Sequence, residues 1–260
     1  MHMLILGYDL MWVNLSSYRV KDEHPVWAKV TAINDCFYRH PEAKWIWWLD
    51  FDAVVMTPTI DLGNYILNPG AMYNKILKDQ KFPIMHLGQK VEEALHLPAD
   101  PDPEDIHLLI SHDQNGLNAG SFFLRRSNWT QIFLELWNDP ILMLEKKWWA
   151  HEQDALVHLF LHHHQFMKHH VGIAAPKEFN AYVPDDINRE SLSTNINLEA
   201  DFWQPYDLVI HFAGCWSFPH PVPMLLTSSI GLISIAKNGG ISIGHCVSKL
   251  PGWKTELGAS

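Results

Sequence analysis

The chain has 260 residues, 47% hydrophobic and 18% charged, enough apolar material to bury a substantial core in one large domain or two small ones. A formal net charge of -10 argues against a nucleic-acid or anionic-membrane surface, because binding phosphate polymers relies on clustered Lys and Arg; a small anionic substrate would need local help, such as a metal. Three cysteines, Cys36, Cys215 and Cys246, are too few and too scattered for a disulfide framework or a zinc site of recognisable spacing.

Taken in chain order, Tyr8 to Val13 reads as a strand and Val26 to Tyr38 as a helix, with Val26, Val30, Ile33 and Phe37 at helical spacing. Trp45 to Leu49 is a short, nearly continuous apolar run, the pattern of a central strand buried on both faces. Leu62 to Leu67 and Ala71 to Leu77 read as short helical pieces, and Pro98, Pro101 and Pro103 mark an acidic loop. Leu117 to Leu124 returns to strand character, and Trp129 to Trp137 is a helix that Ser127 or Asn128 can cap. Glu152 to His164 is a further helix and Leu208 to Phe212 a short strand. Alternating strands and helices of this kind imply an α/β layer architecture. The apolar stretch Val222 to Ala236 is shorter than the roughly 20 residues of a membrane span. Asn14-Leu15-Ser16 and Asn128-Trp129-Thr130 fit the N-glycosylation acceptor pattern, which also arises by chance.

The first chemistry-bearing segment is WIWWLDFDAVVM, Trp45 to Met56. In an extended strand Asp50 and Asp52 share one face while Phe51 takes the other. Two ionised carboxylates buried side by side persist only if one is protonated or a cation sits between them. The bland alternative is a strand-ending aspartate followed by a turn aspartate, but the preceding WIWWL places the pair at the end of a central strand. That is where open α/β sheets bind ligands, and it favours a metal site.

Four segments in order, WIWWLDFDAVVM, LNAGSFFLRRSNW (Leu117 to Trp129), EQDAL (Glu152 to Leu156) and HFAGCW (His211 to Trp216), resemble glycosyltransferase family 34. HPVWAKVTAIND, His24 to Asp35, resembles the stretch that precedes the family's D-x-D. That family contains fungal Golgi α-mannosyltransferases and α-galactosyltransferases. The resemblance implies a GT-A fold, a central mixed sheet flanked by helices, using a nucleotide-sugar donor and Mn²⁺ with retention at the anomeric carbon. It implies a catalytic domain over residues 1–216 that lacks the family's first strand, and an atypical C-terminal segment over 217–260.

By the same resemblance the metal ligands are Asp50, Asp52 and His211, and the donor lies against Lys29, Asp50, Asp52, Asn118, Ala119, Gly120 and Gly214. Glu152, Gln153 and Asp154 hold the donor sugar and favour positive charge at its anomeric carbon. For Lys29 the default without the resemblance is an exposed helical lysine. For the acids at 152 and 154 it is the favourable helix dipole. Trp216 and Ser217 stand where family members often carry a cation after the cysteine.

The function implied is transfer of a hexose, mannose from GDP-mannose in the first instance and galactose from UDP-galactose in the second, to an α-mannoside of N-glycans or mannan. Front-face attack by the acceptor hydroxyl is the expected route; a covalent glycosyl-enzyme would have to use Glu152 or Asp154. The contrasting reading is a non-catalytic subunit that binds partner glycosyltransferases, motivated by the expected missing strand and altered tail. Location follows the family: the Golgi lumen, as a type II membrane protein whose anchor is absent from this sequence. The run HLFLHHHQFMKHH, His158 to His170, is read as a solvated helix end, because adjacent histidines at 162 to 164 point in different directions. Trp148 and Trp149 are read either as a platform for an acceptor sugar or as core.

Overall fold

The structure, a computed structural model, describes residues 8–19, 23–86, 89–113, 116–145, 148, 150–183, 201–213 and 230–236. The strands are β1 (Tyr8–Asn14), β2 (Trp45–Asp50), β3 (Ala53–Val55), β4 (Lys81–His86), β5 (Gln89–His96), β6 (Leu108–Asp113), β7 (Gly116–Arg125), β8 (Val171–Ile173), β9 (Ala181–Tyr182), β10 (Val209–His211) and β11 (Ile230–Ala236). The helices are α1 (Ala28–Arg39), α2 (Pro69–Lys75), α3 (Asn128–Trp137), α4 (Glu152–His162), α5 (His164–Met167) and α6 (Pro176–Phe179). A mixed six-stranded sheet runs β1-β11-β2-β7-β6-β8. A three-stranded sheet β3-β10-β9 and the hairpin β4-β5 accompany it.

The core explains the sheet. In β2 every residue before Asp50 is buried, and the strand lies between β11 and β7, so the tryptophan run is interior on both faces, as its composition predicts. Trp48 packs with Val30, Ile33 and Phe37 of α1 and with Phe133 and Trp137 of α3 in one cluster. Trp47 and Leu49 face a second cluster with Ile66, Phe123, Phe179 and Val209. Alternate side chains of one strand thus nucleate two apolar layers. Ser127 caps α3, its side chain accepting from the Thr130 amide.

Three differences from the sequence expectations bear on the site. First, β2 ends at Asp50 and Phe51-Asp52 is a turn that hands the chain to β3. Asp50 and Asp52 therefore do not share a strand face; they flank a joint between two sheets. Second, β4 and β5 form a hairpin whose register shifts between Phe82 and Ile84. Pro83, which lacks an amide donor, stands at that irregularity and obscures the strand pattern. Third, β11, inside the segment 217–260, pairs antiparallel with both β1 and β2 and so belongs to the main sheet. Among the described residues no helix is long and apolar enough to cross a membrane.

Candidate functional site

The site begins with an irregularity in β7. Pairing to β6 steps from Ile110 opposite Phe122 to Ser111 opposite Asn118, so Ala119, Gly120 and Ser121 bulge away from that ladder. Backbone groups released by a bulge need other partners. Ala119 N–H donates to Gln153 Oε1 at 2.8 Å, and Ala119 C=O accepts from Lys29 Nζ at 2.8 Å. The Gly120 amide donates to Asn118 Oδ1 at 2.9 Å. The segment Asn118-Ala119-Gly120 is therefore held by side chains from α1 and α4.

Lys29 is the centre of this arrangement and only 2% exposed, contrary to the default of an exposed helical lysine. Its ammonium meets Glu152 Oε1 at 2.8 Å and the two Asp50 oxygens at 3.0 and 3.3 Å. Burial works against the charged amine, but Asp50 and then Glu152 outweigh it and raise its pKa above the usual lysine value. Asp50 also accepts from Trp48 Nε1 at 2.6 Å, and its side chain is 33% exposed. Its pKa is raised by burial, opposed by Lys29 and reinforced by the neighbouring charges of Asp52 and Glu152.

On the other side of the joint, β3 pairs with β10 so that Ala53 lies opposite His211, and Phe212 N–H donates to the Asp52 carbonyl at 2.9 Å. This register sets His211 Nε2 3.3 Å from Asp52 Oδ1. Burial would raise Asp52, but the hydrogen bond and charge of His211 prevail and hold its pKa below the ordinary carboxylate value. The two aspartates are thus driven in opposite directions. Gly120 closes the gap behind the imidazole: a Cβ there would stand 2.2 Å from His211 Cε1 and 2.9 Å from Nε2. His211 Nδ1 is buried without a hydrogen-bond partner.

Whether these residues fit a divalent cation can be tested on charge and donor type. Asp50 and Glu152 share one buried amine, and the charge of Asp52 reaches Asp50 as well, an accumulation of negative charge that a dication would offset. Two carboxylates and an imidazole are the donor set that hard to borderline dications such as Mn²⁺ accept. Asp50, Asp52 and His211 match such an ion in donor type, and Asp52 and His211 already adjoin at 3.3 Å.

The remaining predicted residues fall around this centre in distinct ways. Asn118 donates to Asp113 Oδ2 at 2.9 Å and accepts from Asn180 Nδ2 at 2.9 Å, so its amide is engaged within the fold. Asp154 turns back past the start of its own helix and accepts from Ala150 N–H at 2.8 Å, tying the preceding chain to the helix. Gly214 and Trp149 lie outside the described residues. Trp148 is buried and donates to the Leu142 carbonyl at 2.6 Å, which fits core packing.

Sequence reasoning missed Asn180, fully buried after α6 with its Oδ1 unpartnered; no spacing ties it to Asn118. It also missed the stack of His24 on His151, with centroids 3.8 Å apart, which joins the approaches to α1 and α4. The HPVWAK segment contained the signal for one half of that contact.

The sequence pattern of the galactosyl transferase GMA12/MNN10 family matches residues 2–220. An uncharacterized alpha-1,2-galactosyltransferase of Schizosaccharomyces pombe is 33% identical over 82% of this chain and 53% of its own length. The alpha-1,2-galactosyltransferase of the same yeast is 32% identical over 80% of this chain and 52% of its own. The probable alpha-1,6-mannosyltransferase MNN10 of Saccharomyces cerevisiae is 29% identical, over 80% and 51% respectively. The chain spans about half the length of these curated relatives.

Proposed function

The chain belongs to the galactosyl transferase GMA12/MNN10 family, and from that membership and the site geometry we propose that it is a Mn²⁺-dependent retaining glycosyltransferase. The observation that carries this reading is convergence. Asp50, the Ala119 carbonyl and Glu152 share one ammonium, while Asp52 meets the imidazole of His211, for which Gly120 leaves room. Segments distant in sequence thereby build a single acidic centre. The donor is a hexose nucleotide: the relatives at 32 and 33% identity are named for galactose and the one at 29% for mannose. The acceptor is an α-mannoside, and the Golgi lumen is the compartment.

In this proposal the fold is of GT-A type, with the catalytic domain over 1–216 and β11 of the 217–260 segment completing its sheet. Asp50, Asp52 and His211 hold the metal, which when bound supplies positive charge against the departing diphosphate. Lys29 fixes the carboxylates of Asp50 and Glu152 and the bulged Ala119 carbonyl in one geometry, so the site needs no reorganisation as charge develops. Gln153 fixes the other side of Ala119 through its N–H. Gly120 leaves the imidazole of His211 its place.

Glu152 and Asp154, the candidates for a covalent nucleophile, are engaged with Lys29 and Ala150 N–H, which supports front-face attack by the acceptor hydroxyl. Thermal shift with GDP and UDP, each with and without Mn²⁺, tests the reading. Stabilisation by one nucleotide only when Mn²⁺ is present is expected; stabilisation by neither nucleotide counts against it and favours the non-catalytic subunit.

A further inference from the structure

A second group of ligating side chains lies further along α4, beginning one turn after Asp154, whose charge reaches His86. His158 and His162 are one helical turn apart, so they share a face, and their ring centroids are 4.2 Å apart. His86, the last residue of β4, stands over them with centroid distances of 5.8 and 6.0 Å. Each of the three offers a ring nitrogen, and these atoms all lie within 4.8 Å of one another. His86 Nε2 is buried and has no hydrogen-bond partner. Trp148 borders the group, 6.1 Å from His86 and 5.5 Å from His158, and supplies an apolar wall.

We propose that His86, His158 and His162 form a binding site for a transition dication of the Zn²⁺ type, separate from the Asp50–Asp52–His211 centre. Three imidazoles and no carboxylate suit Zn²⁺, Ni²⁺ or Cu²⁺ and disfavour Mn²⁺. Ligand bonds of about 2.0–2.1 Å bring tetrahedral nitrogens to a little over 3 Å of each other, which small side-chain rotations achieve from the spacing observed. Three protein ligands leave the fourth position to water or another small ligand, and exposure of His162 opens that side. The ion ties the β4-β5 hairpin to the helix whose first turn carries Glu152 and Gln153, so its occupancy stiffens the support of the acidic centre. The sequence reading overlooked the group because it weighed the adjacent histidines 162 to 164, whereas the converging pair is 158 and 162 and their partner is 72 residues upstream of the first of them.

Equilibrium dialysis of the full chain against Zn²⁺ and, separately, Mn²⁺ tests this. Asp52→Asn, in which the other candidate centre is disabled, is expected to retain one Zn²⁺ that Asp52→Asn/His162→Gln and Asp52→Asn/His86→Gln lose, with affinity falling by more than the 10–100-fold that outer-shell changes cost. His162 lies at an exposed helix end, so matching circular dichroism of His162→Gln secures its fold. In Co²⁺-loaded protein the intense visible absorption of a four-coordinate site is expected in Asp52→Asn and absent in both histidine variants. Zn²⁺ binding by Asp52→Asn that survives the added histidine substitutions overturns the proposal, as does an absence of bound Zn²⁺ in Asp52→Asn.

Discussion

Replacing Lys29 by Met removes an amine that joins α1, β2, β7 and α4 while roughly keeping the volume of the side chain. Glu152 is buried with it at 2.8 Å, and stranding one member of such a pair costs about 3–5 kcal/mol. Asp50, one-third exposed, adds at most about 1 kcal/mol because solvent screens it. The orphaned Ala119 carbonyl, bonded at 2.8 Å in the native chain, adds about 1 kcal/mol. A total near 5 kcal/mol is a large part of the roughly 5–15 kcal/mol that holds a domain together. With an m-value of about 3 kcal/mol per molar, the urea midpoint should fall by about 1.7 M, measured by fluorescence of the core tryptophans.

Two controls make this specific. Lys29→Met combined with Glu152→Gln removes the stranded charge and should recover about 2 kcal/mol, a coupling that independent sites do not show. Asp50, already raised by burial, loses the cation that opposes the shift, so the cost should shrink as pH falls into the carboxylate range and the group takes up a proton. A midpoint change under about 0.3 M, or a loss that neither the second substitution nor acid relieves, would refute the charge-hub reasoning.

Gly120→Ala forces a Cβ to within 2.2 Å of His211 Cε1; Mn²⁺ affinity by calorimetry should fall at least about tenfold while stability drops by about 1–3 kcal/mol. Burial lowers the pKa of His112 to about 4, below an unfolded value near 6.5, so its contribution to stability is fully present above pH 6.5 and lost as pH falls toward 4. Full expression of that shift is worth roughly 3 kcal/mol; His112→Gln should flatten the urea stability profile over that window and leave it unchanged above it. Ser127→Ala removes the cap on α3 and should cost about 1 kcal/mol, a fall in Tm of about 3 °C by calorimetry.

The parts legible in the sequence were those set by local pattern. The tryptophan strand, the helix from Ala28, the capped helix after Ser127 and the helix beginning with EQD all follow from spacing of apolar residues and from one cap. What escaped was non-local. Lys29 reads as exposed because periodicity sees only its own helix, while its partners lie 21, 90 and 123 residues away. The geometry of the aspartates escaped because period-two alternation holds only while a strand continues, and β2 stops at Asp50. The bulge at Ala119 leaves no mark in an apolar run. Pro83 disguised β4, and β11 sits in a stretch whose strand pairing is visible only once β1 and β2 are side by side.

The most direct measurement is the release of nucleoside diphosphate and transfer of hexose from GDP-mannose and UDP-galactose to an α-mannoside, with Mn²⁺ added or chelated, for wild type and Asp52→Asn. Metal-dependent turnover with one donor, reduced at least about 100-fold by Asp52→Asn, is the predicted result. Equal turnover by the two proteins, or turnover indifferent to chelation, would contradict a catalytic metal held between the aspartates and His211.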